Sequence, residues 1–356
     1  MSVVPPMEAL LAEELPEGPG WQYEPKWDGF RCIAVRSSST VELWSKSGKP
    51  LGRYFPEVAA MFERLKAKSF TIDGELLIDR GGELSFDALQ MRLHPAESRV
   101  RKLAAETPAM FMAFDLLASG RAKLAGKPLA DRRAALDEML AEEDDPMLLL
   151  SPATTDRTQA LGWLKRSGGA LDGVIAKRLD EPYRSGERAM VKVKQRRTAD
   201  CVVGGFRYGK GSRTVGSLLL GLYDARGLLD HVGFTSSIAS VDREAWTREL
   251  EKLVSPPGFT GDAPGGPSRW STERSTEWQP LKPSIVVEVL YDQVTGRRFR
   301  HGTKLLRRRP DKAPKQCTME QLRHPLTPAE LKQLFDPSGR SRSRWSEPAA
   351  SLRRRG

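Results

Sequence analysis

The stretch Glu24-Pro25-Lys26-Trp27-Asp28-Gly29-Phe30-Arg31 decides how the chain is read. It sets a lysine on the last residues of an apolar-flanked strand and then turns the chain at Asp-Gly, a pair suited to tight turns. A solvated surface lysine needs no such setting. A nucleophilic lysine held at the lip of a pocket does. Taken alone, Lys-x-Asp-Gly reads first as an exposed lysine beside a turn, so other positions must decide.

Four of them converge. Ile72-Asp73-Gly74-Glu75-Leu76 repeats the strand–turn–strand pattern and puts the Glu75 carboxylate directly after Asp-Gly. Leu171-Asp172-Gly173-Val174-Ile175-Ala176-Lys177 does so again, with Asp172 just before the glycine. Two carboxylates on separate strands suit a hard divalent cation, which takes oxygen ligands. Met190-Val191-Lys192-Val193-Lys194 alternates strictly, so Lys192 and Lys194 project from one face. Two neighbouring cations repel, a cost offset when they share an anion such as a phosphate. Phe114 closes an apolar strand and offers a face on which a base can stack. Together these parts describe attack by lysine on a nucleotide phosphate. The nitrogen must lose a proton from a reference pKa of about 10.4, which nearby cations or a metal lower. The same charges spread the negative charge that builds on a transferring phosphorus centre.

The rest of the chain sets bounds. Its 356 residues suffice for two domains with their own cores. No apolar run approaches the ~20 residues needed to span a bilayer, and the acidic N-terminus lacks the basic and apolar regions of a signal peptide. Cys32, Cys201 and Cys317 lie far apart with no CxxC pair, which points to a reducing cytoplasm and against a thiolate zinc site. The net charge of +11 sits at one end. From Arg300 onward there are 15 Lys and Arg against 5 Asp and Glu, whereas the preceding 299 residues hold 42 against 41. A surplus so confined predicts attraction to a polyanion, foremost nucleic acid.

Periodicity predicts helices over 56–68, 130–143 and 155–168, the last with Asp156 and Gln159 as a capping box. Strands are expected at GFRCIAVR, TVELWS, FTIDGELLID, AMFMAFDLLA, LDGVIAKR and AMVKVKQ. Short strands without a regular βαβ rhythm predict an α+β, mixed and largely antiparallel first domain over 1–197. After KQRRTAD the texture turns β-rich around one helix, VDREAWTRELEKLV. That is the grammar of a five-stranded oligonucleotide-binding (OB-fold) β-barrel, placed at 198–315. Residues 316–356 are expected to form a basic C-terminal extension. It begins with a short helix capped at Thr327-Pro328-Ala329-Glu330 and is disordered beyond Asp336.

In that order, KWDGFR, WSKSG, DGELL, FDLL, DGVIAK, VKVK and RRRPDK resemble the motifs of the covalent nucleotidyltransferases. Specifically, they resemble the ATP-dependent DNA ligases, and within them the small bacterial ligase C type, over residues 20 to 315. The resemblance implies an adenylation domain followed by an OB-fold domain. It makes Lys26 the residue that is adenylated, places Glu24 near the adenine and Arg31 near the ribose and nick, and has Phe114 stack on adenine. Lys46 stands where the family usually has arginine. Glu75 is implied at the ribose and metal, and Asp172 at the metal, where most ligases carry glutamate. Lys192 and Lys194 are implied at the α-phosphate, and Arg309 and Lys312 at the leaving pyrophosphate. ATP and Mg2+ or Mn2+ are the implied cofactors. Nicked double-stranded DNA, with end-binding or other repair proteins, is the implied partner of a monomeric, cytoplasmic, nucleoid-associated enzyme. The hinge between closed and DNA-facing forms is expected in KQRRTAD. An RNA ligase, a capping guanylyltransferase and a non-catalytic binding module are the competing readings.

Overall fold

Strand alternation in the first half of the chain builds two sheets that bury their inner faces on one another. The computed structural model describes residues 4–167, 171–195, 197–265, 277–322 and 328–335. Two compact units divide at 195/196 and again at 324/325, so residues 328–335 belong to the first unit.

In the first unit one sheet runs β4-β3-β5-β6-β7: Thr40–Ser45, Phe30–Ser37, Ser69–Ile78, Ala109–Ser119 and Ala122–Lys123. A short β8, Leu148–Leu150, adds to β6 in parallel. The second sheet runs β1-β10-β9-β2: Glu8–Ala12, Arg188–Val193, Leu171–Arg178 and Trp21–Trp27. The strand β6 is buried over Ala109–Leu117 on both faces, which is why it reads as an apolar run broken only by Asp115, itself paired with the buried Arg132. On one side it meets helices α1 (Pro56–Arg64) and α4 (Leu129–Ala141). Val58, Met61 and Phe62 form the buried stripe of α1, with the Phe62 ring edge-on to Phe111 at 4.9 Å. On the other side Leu77, Met110 and Met112 share a cluster with Tyr23, Trp27, Val174 and Trp163, joining the two sheets.

The expected helices are present at nearly the expected bounds, the third as α5, Arg157–Lys165, with Asp156 accepting from the Thr158 N–H at 2.8 Å. Helices α2 (Phe86–Arg92) and α3 (Glu97–Glu106) are additional. The latter buries only Val100 and Ala104, too narrow a stripe to register as periodicity. The Asp-Gly pairs require a correction. Only Asp28-Gly29 separates two strands, whereas Gly74 and Gly173 lie inside β5 and β9. There glycine answers a close approach: a Cβ on Gly74 would stand 2.3 Å from the Phe111 ring. Phe114 likewise sits in the middle of β6 rather than at its end.

The second unit is built on an antiparallel sheet ordered β13-β12-β11-β15-β18: Leu229–Thr235, Val215–Tyr223, Arg197–Tyr208, Val286–Tyr291 and Lys304–Arg308, with the short β14 (Gln279–Pro280) added to β11 and a separate pair of β16 (Val294–Thr295) and β17 (Arg298–Phe299). Its edges are drawn together where Thr303 donates its N–H to the Phe234 carbonyl at 3.1 Å and Thr235 Oγ1 donates to the Thr303 carbonyl at 2.8 Å. Closure of this kind removes exposed sheet edges, the device of small barrels. Helix α6 (Arg243–Glu251) buries Trp246 and Leu250 on this core.

The units therefore part at 195/196 and 324/325, where 197/198 and 315/316 were expected. Since β11 begins at Arg197, the last four residues of KQRRTAD are strand. Cys317 is buried in the barrel core, which keeps the segment after 315 in that unit. The expected C-terminal helix is α7, Pro328–Phe335, and its Leu331 joins the cluster of Leu15, Tyr23 and Trp163, while Glu330 pairs with Arg166. Thr327 and the tail from 336 lie outside the described residues. Among the described residues no helix is long and apolar enough to cross a membrane.

Candidate active site

Lys26 owes its position to an irregularity between two strands. Pairing of β2 with β9 runs from Trp21–Arg178 to Pro25–Val174 and resumes at Trp27–Leu171, so Asp172 and Gly173 face Lys26 alone. Such a bulge re-aims a side chain. Gly173 permits it, with φ of +131° and space for no Cβ, which would stand 2.1 Å from the Val193 carbonyl oxygen. The Asp172 Oδ2 consequently lies 2.6 Å from Lys26 Nζ and 2.9 Å from Lys194 Nζ. Burial opposes the Asp172 charge, but the two ammonium groups outweigh it and hold the carboxyl below its ordinary range.

From this pair a cavity of about 940 Å³ opens, walled by Glu24, Lys26, Arg31, Lys46, Glu75, Phe114 and Lys192. One wall is buried and sets the Phe114 ring among paired charges. Glu24, 2% exposed, accepts from Lys177 Nζ at 2.8 Å and from Gln22 Nε2 at 2.8 Å. Lys177 Nζ and the Arg31 guanidinium carbon lie 4.8 and 4.6 Å from the centroid of the Phe114 ring, within cation–π range. Arg31 is itself clamped: Nε donates to Asp73 Oδ1 at 2.6 Å and Nη2 to Oδ2 at 2.5 Å, while the Tyr183 hydroxyl donates to the same carboxylate at 2.6 Å. Burial works against the Arg31 charge, and Asp73 overrides it.

The other wall is ionic. Burial pushes the Glu75 carboxyl up to about 7, against the pull of Arg31 and Lys26. Burial, then repulsion from Lys26, Lys194 and Lys46, lowers the affinity of Lys192 for its proton. Lys46 is largely exposed, 3.3 Å from Glu8 Oε2. Cations drawn this close favour a multiply charged anion between them. Among the described residues no three His, Cys, Asp or Glu side chains gather as a self-sufficient metal site. Glu75 and Asp172, on separate strands, both act electrostatically on Lys26. They suit a cation of the Mg2+ type, which is commonly held by one or two carboxylates with phosphate oxygens and water.

Arg309 and Lys312 belong to the second unit and gather on Asp200. Arg309 Nη1 lies 2.9 Å from both Asp200 oxygens, and Lys312 Nζ lies 2.7 Å from Oδ2. Sequence reasoning did not single out Lys177, Asp73, Tyr183 or Asp200 as site residues. Lys177 was within reach, because it ends the quoted Leu171–Lys177 stretch and pairs across the strand with Gln22. The Asp73–Tyr183 contact spans 110 residues and leaves no local signal.

Residues 6–194 match the family model described as ATP dependent DNA ligase domain, and residues 211–312 match ATP dependent DNA ligase C terminal region. The chain is 46% identical over 343 residues to DNA ligase C2 of Mycolicibacterium smegmatis, covering 91% of this chain and 96% of that one. It is 43% identical over 345 residues to DNA ligase C of Mycobacterium tuberculosis, covering 92% and 96%. A solved Lig E DNA ligase structure shares the fold, with a TM-score of 0.51 at 20% identity over 85% of this chain and 99% of that one. The cavity around Lys26 lies within the first matched region and the Asp200 cluster reaches into the second, and the chain belongs to the ATP-dependent DNA ligases.

Proposed function

We propose that Lys26 carries the adenylate in nick sealing, and the observation that carries this is its ammonium at the mouth of the cavity, 2.6 Å from Asp172. Deprotonated Lys26 Nζ attacks the α-phosphorus of ATP. A nitrogen–phosphorus bond forms, the bond to the bridging oxygen breaks, and pyrophosphate leaves with that electron pair. The AMP then passes to the 5′-phosphate of a nick in double-stranded DNA, freeing Lys26, and the 3′-hydroxyl displaces AMP to seal the strand. Phe114 and the Glu24–Lys177 pair form the adenine wall, while Lys192 and Lys194 take the α-phosphate. Arg31, held by Asp73, and Lys46 line the approach. Arg309 and Lys312 act on the departing pyrophosphate.

Mg2+ or Mn2+ on Glu75 and Asp172 would neutralise charge developing at phosphorus. Such an ion would compete with Lys26 and Lys194 for the Asp172 carboxylate and would loosen the pair that holds the Lys26 ammonium. The basic C-terminal end adds sequence-independent contact with the duplex backbone.

The test is a denaturing gel after mixing protein, metal and α-labelled ATP, with α-labelled GTP in parallel and Lys26→Ala as control. Label from ATP on the wild type, absent from Lys26→Ala, is expected. Label retained on Lys26→Ala would remove Lys26 from the chemistry, and label from GTP would redirect the reading to a capping-type reaction. Sealing of nicked duplex DNA with 3′-hydroxyl and 5′-phosphate ends, compared with nicked RNA, then fixes the polynucleotide.

A further inference from the structure

Asp200 lies on β11, four residues past the first division between the units, and it is the point on which three parts of the second unit meet. Its carboxylate takes Arg309 Nη1 on both oxygens at 2.9 Å and Lys312 Nζ at 2.7 Å. Its backbone N–H donates to Gln321 Oε1 at 3.0 Å, and its carbonyl accepts from Gln321 Nε2 at 3.1 Å. Gln321 stands three residues before the chain leaves this unit at His324.

We infer that Asp200 is a positioning residue that holds Arg309 and Lys312 in one fixed arrangement for the adenylation step. The inference rests on the reading of that pair as the pyrophosphate-facing cations. Arg309 also contacts Asp311, through Nε and Nη2 at 3.0 and 2.9 Å. The Asp311 side chain is 62% exposed, however, and Asp200 only 11%, so solvent screens the first contact far more than the second. A lysine and an arginine each lose considerable rotamer freedom when fixed. One buried carboxylate shared by both brings their charged ends to one place before any phosphate arrives. Because Gln321 fixes the Asp200 backbone from the exit segment, the arrangement is anchored at both ends of the unit.

The experiment uses the full chain and measures kcat and KM for adenylation with α-labelled ATP, and separately the sealing of a pre-adenylated nick. Asp200→Asn is expected to lower the kcat of adenylation about tenfold or more, the scale on which misplacement acts. The KM for ATP should change little, and sealing of the pre-adenylated nick should fall less. Asp200→Glu, which keeps the charge, is expected to recover part of the loss. Should Asp200→Asn fail to fold, Gln321→Ala, which leaves every charge in place, is expected to give the same selective loss in weaker form.

Arg309→Ala and Lys312→Ala test the underlying reading. If they slow adenylation while Asp200→Asn matches wild type, the inference is overturned and the reading stands. If they leave adenylation untouched, both fall. A faster adenylation in Asp200→Asn would make the residue a brake, and equal loss in all steps with a lowered Tm would make it merely structural. Either result overturns the inference.

Discussion

The Asp172 carboxylate stands between Lys26 and Lys194, 2.6 Å from one ammonium nitrogen and 2.9 Å from the other. One anion is therefore shared by two cations at the place proposed for the phosphate and the metal. Removing it strands both lysines beside Lys192, and truncating one partner of a partly buried ion pair costs more than the pair itself contributes. Asp172→Asn is expected to lower the adenylation rate about a hundredfold, because the same carboxylate is also the one proposed to hold the metal. Asp172→Glu is expected to keep most of it. Quench-flow adenylation over a series of Mg2+ and Mn2+ concentrations checks this, and equal loss in both variants would show that side-chain length matters as much as charge.

Glu24 and Lys177 are 3% and 4% exposed along their side chains and 2.8 Å apart. Lys177→Met leaves Glu24 buried without its cation, which is expected to cost about 3–5 kcal/mol. The double variant Glu24→Gln with Lys177→Met should regain part of that stability without regaining affinity for ATP. Thermal unfolding beside ATP titration separates the two effects. A double variant no more stable than Lys177→Met would show that the ion pair is not the source of the loss.

The bulge at Asp172-Gly173 makes a local prediction. Gly173→Ala meets both an unfavourable φ of +131° and the Val193 carbonyl at 2.1 Å, together worth about 2–6 kcal/mol. Gly48, with φ of +71° and open space around it, meets only the first. Gly173→Ala should therefore lower Tm well beyond Gly48→Ala and slow adenylation even in its folded fraction. Equal Tm values would deny the close approach.

His231 predicts a pH dependence in the barrel unit. Burial, then Arg298 and Arg207, depress its imidazole from an ordinary 6.5 to about 3, and Arg298 Nη2 donates to Nδ1 at 2.8 Å. Between those values the unfolded chain binds a proton that the folded chain refuses, so stability is lost as pH falls from about 6.5 towards 3. His231→Asn keeps an acceptor for Arg298 without titrating. It should flatten the acid limb of a Tm-against-pH curve, and an unchanged limb would assign that loss to other groups.

Much of the site was legible because its parts are local. Lys26, Glu75, Phe114, Asp172 and Lys192 each sit in a short stretch whose alternation or apolar run marks a strand, and a strand fixes which way a side chain points. The roles of the glycines were not legible. Gly29, Gly74 and Gly173 look alike in sequence, and at each a ring or carbonyl from a distant strand excludes a Cβ, yet only the first separates two strands. The break at 324 was invisible for a similar reason. Cys317 and Leu331 are fourteen residues apart in unremarkable sequence, and only the cores they enter assign them to different units.

The sequence by itself determined the order of the residues proposed as nucleophile, carboxylates, cations and ring, and their setting on an α+β unit followed by a barrel. Tertiary structure alone decided their partnerships. It put Asp172 rather than solvent against Lys26, Lys177 against Glu24, Asp73 behind Arg31 and Asp200 beneath Arg309 and Lys312. The reason is physical. Residue type and strand parity are properties of neighbours along the chain, whereas an ion pair depends on register and bulges between strands far apart in sequence, which are set only when the sheets close on a common core.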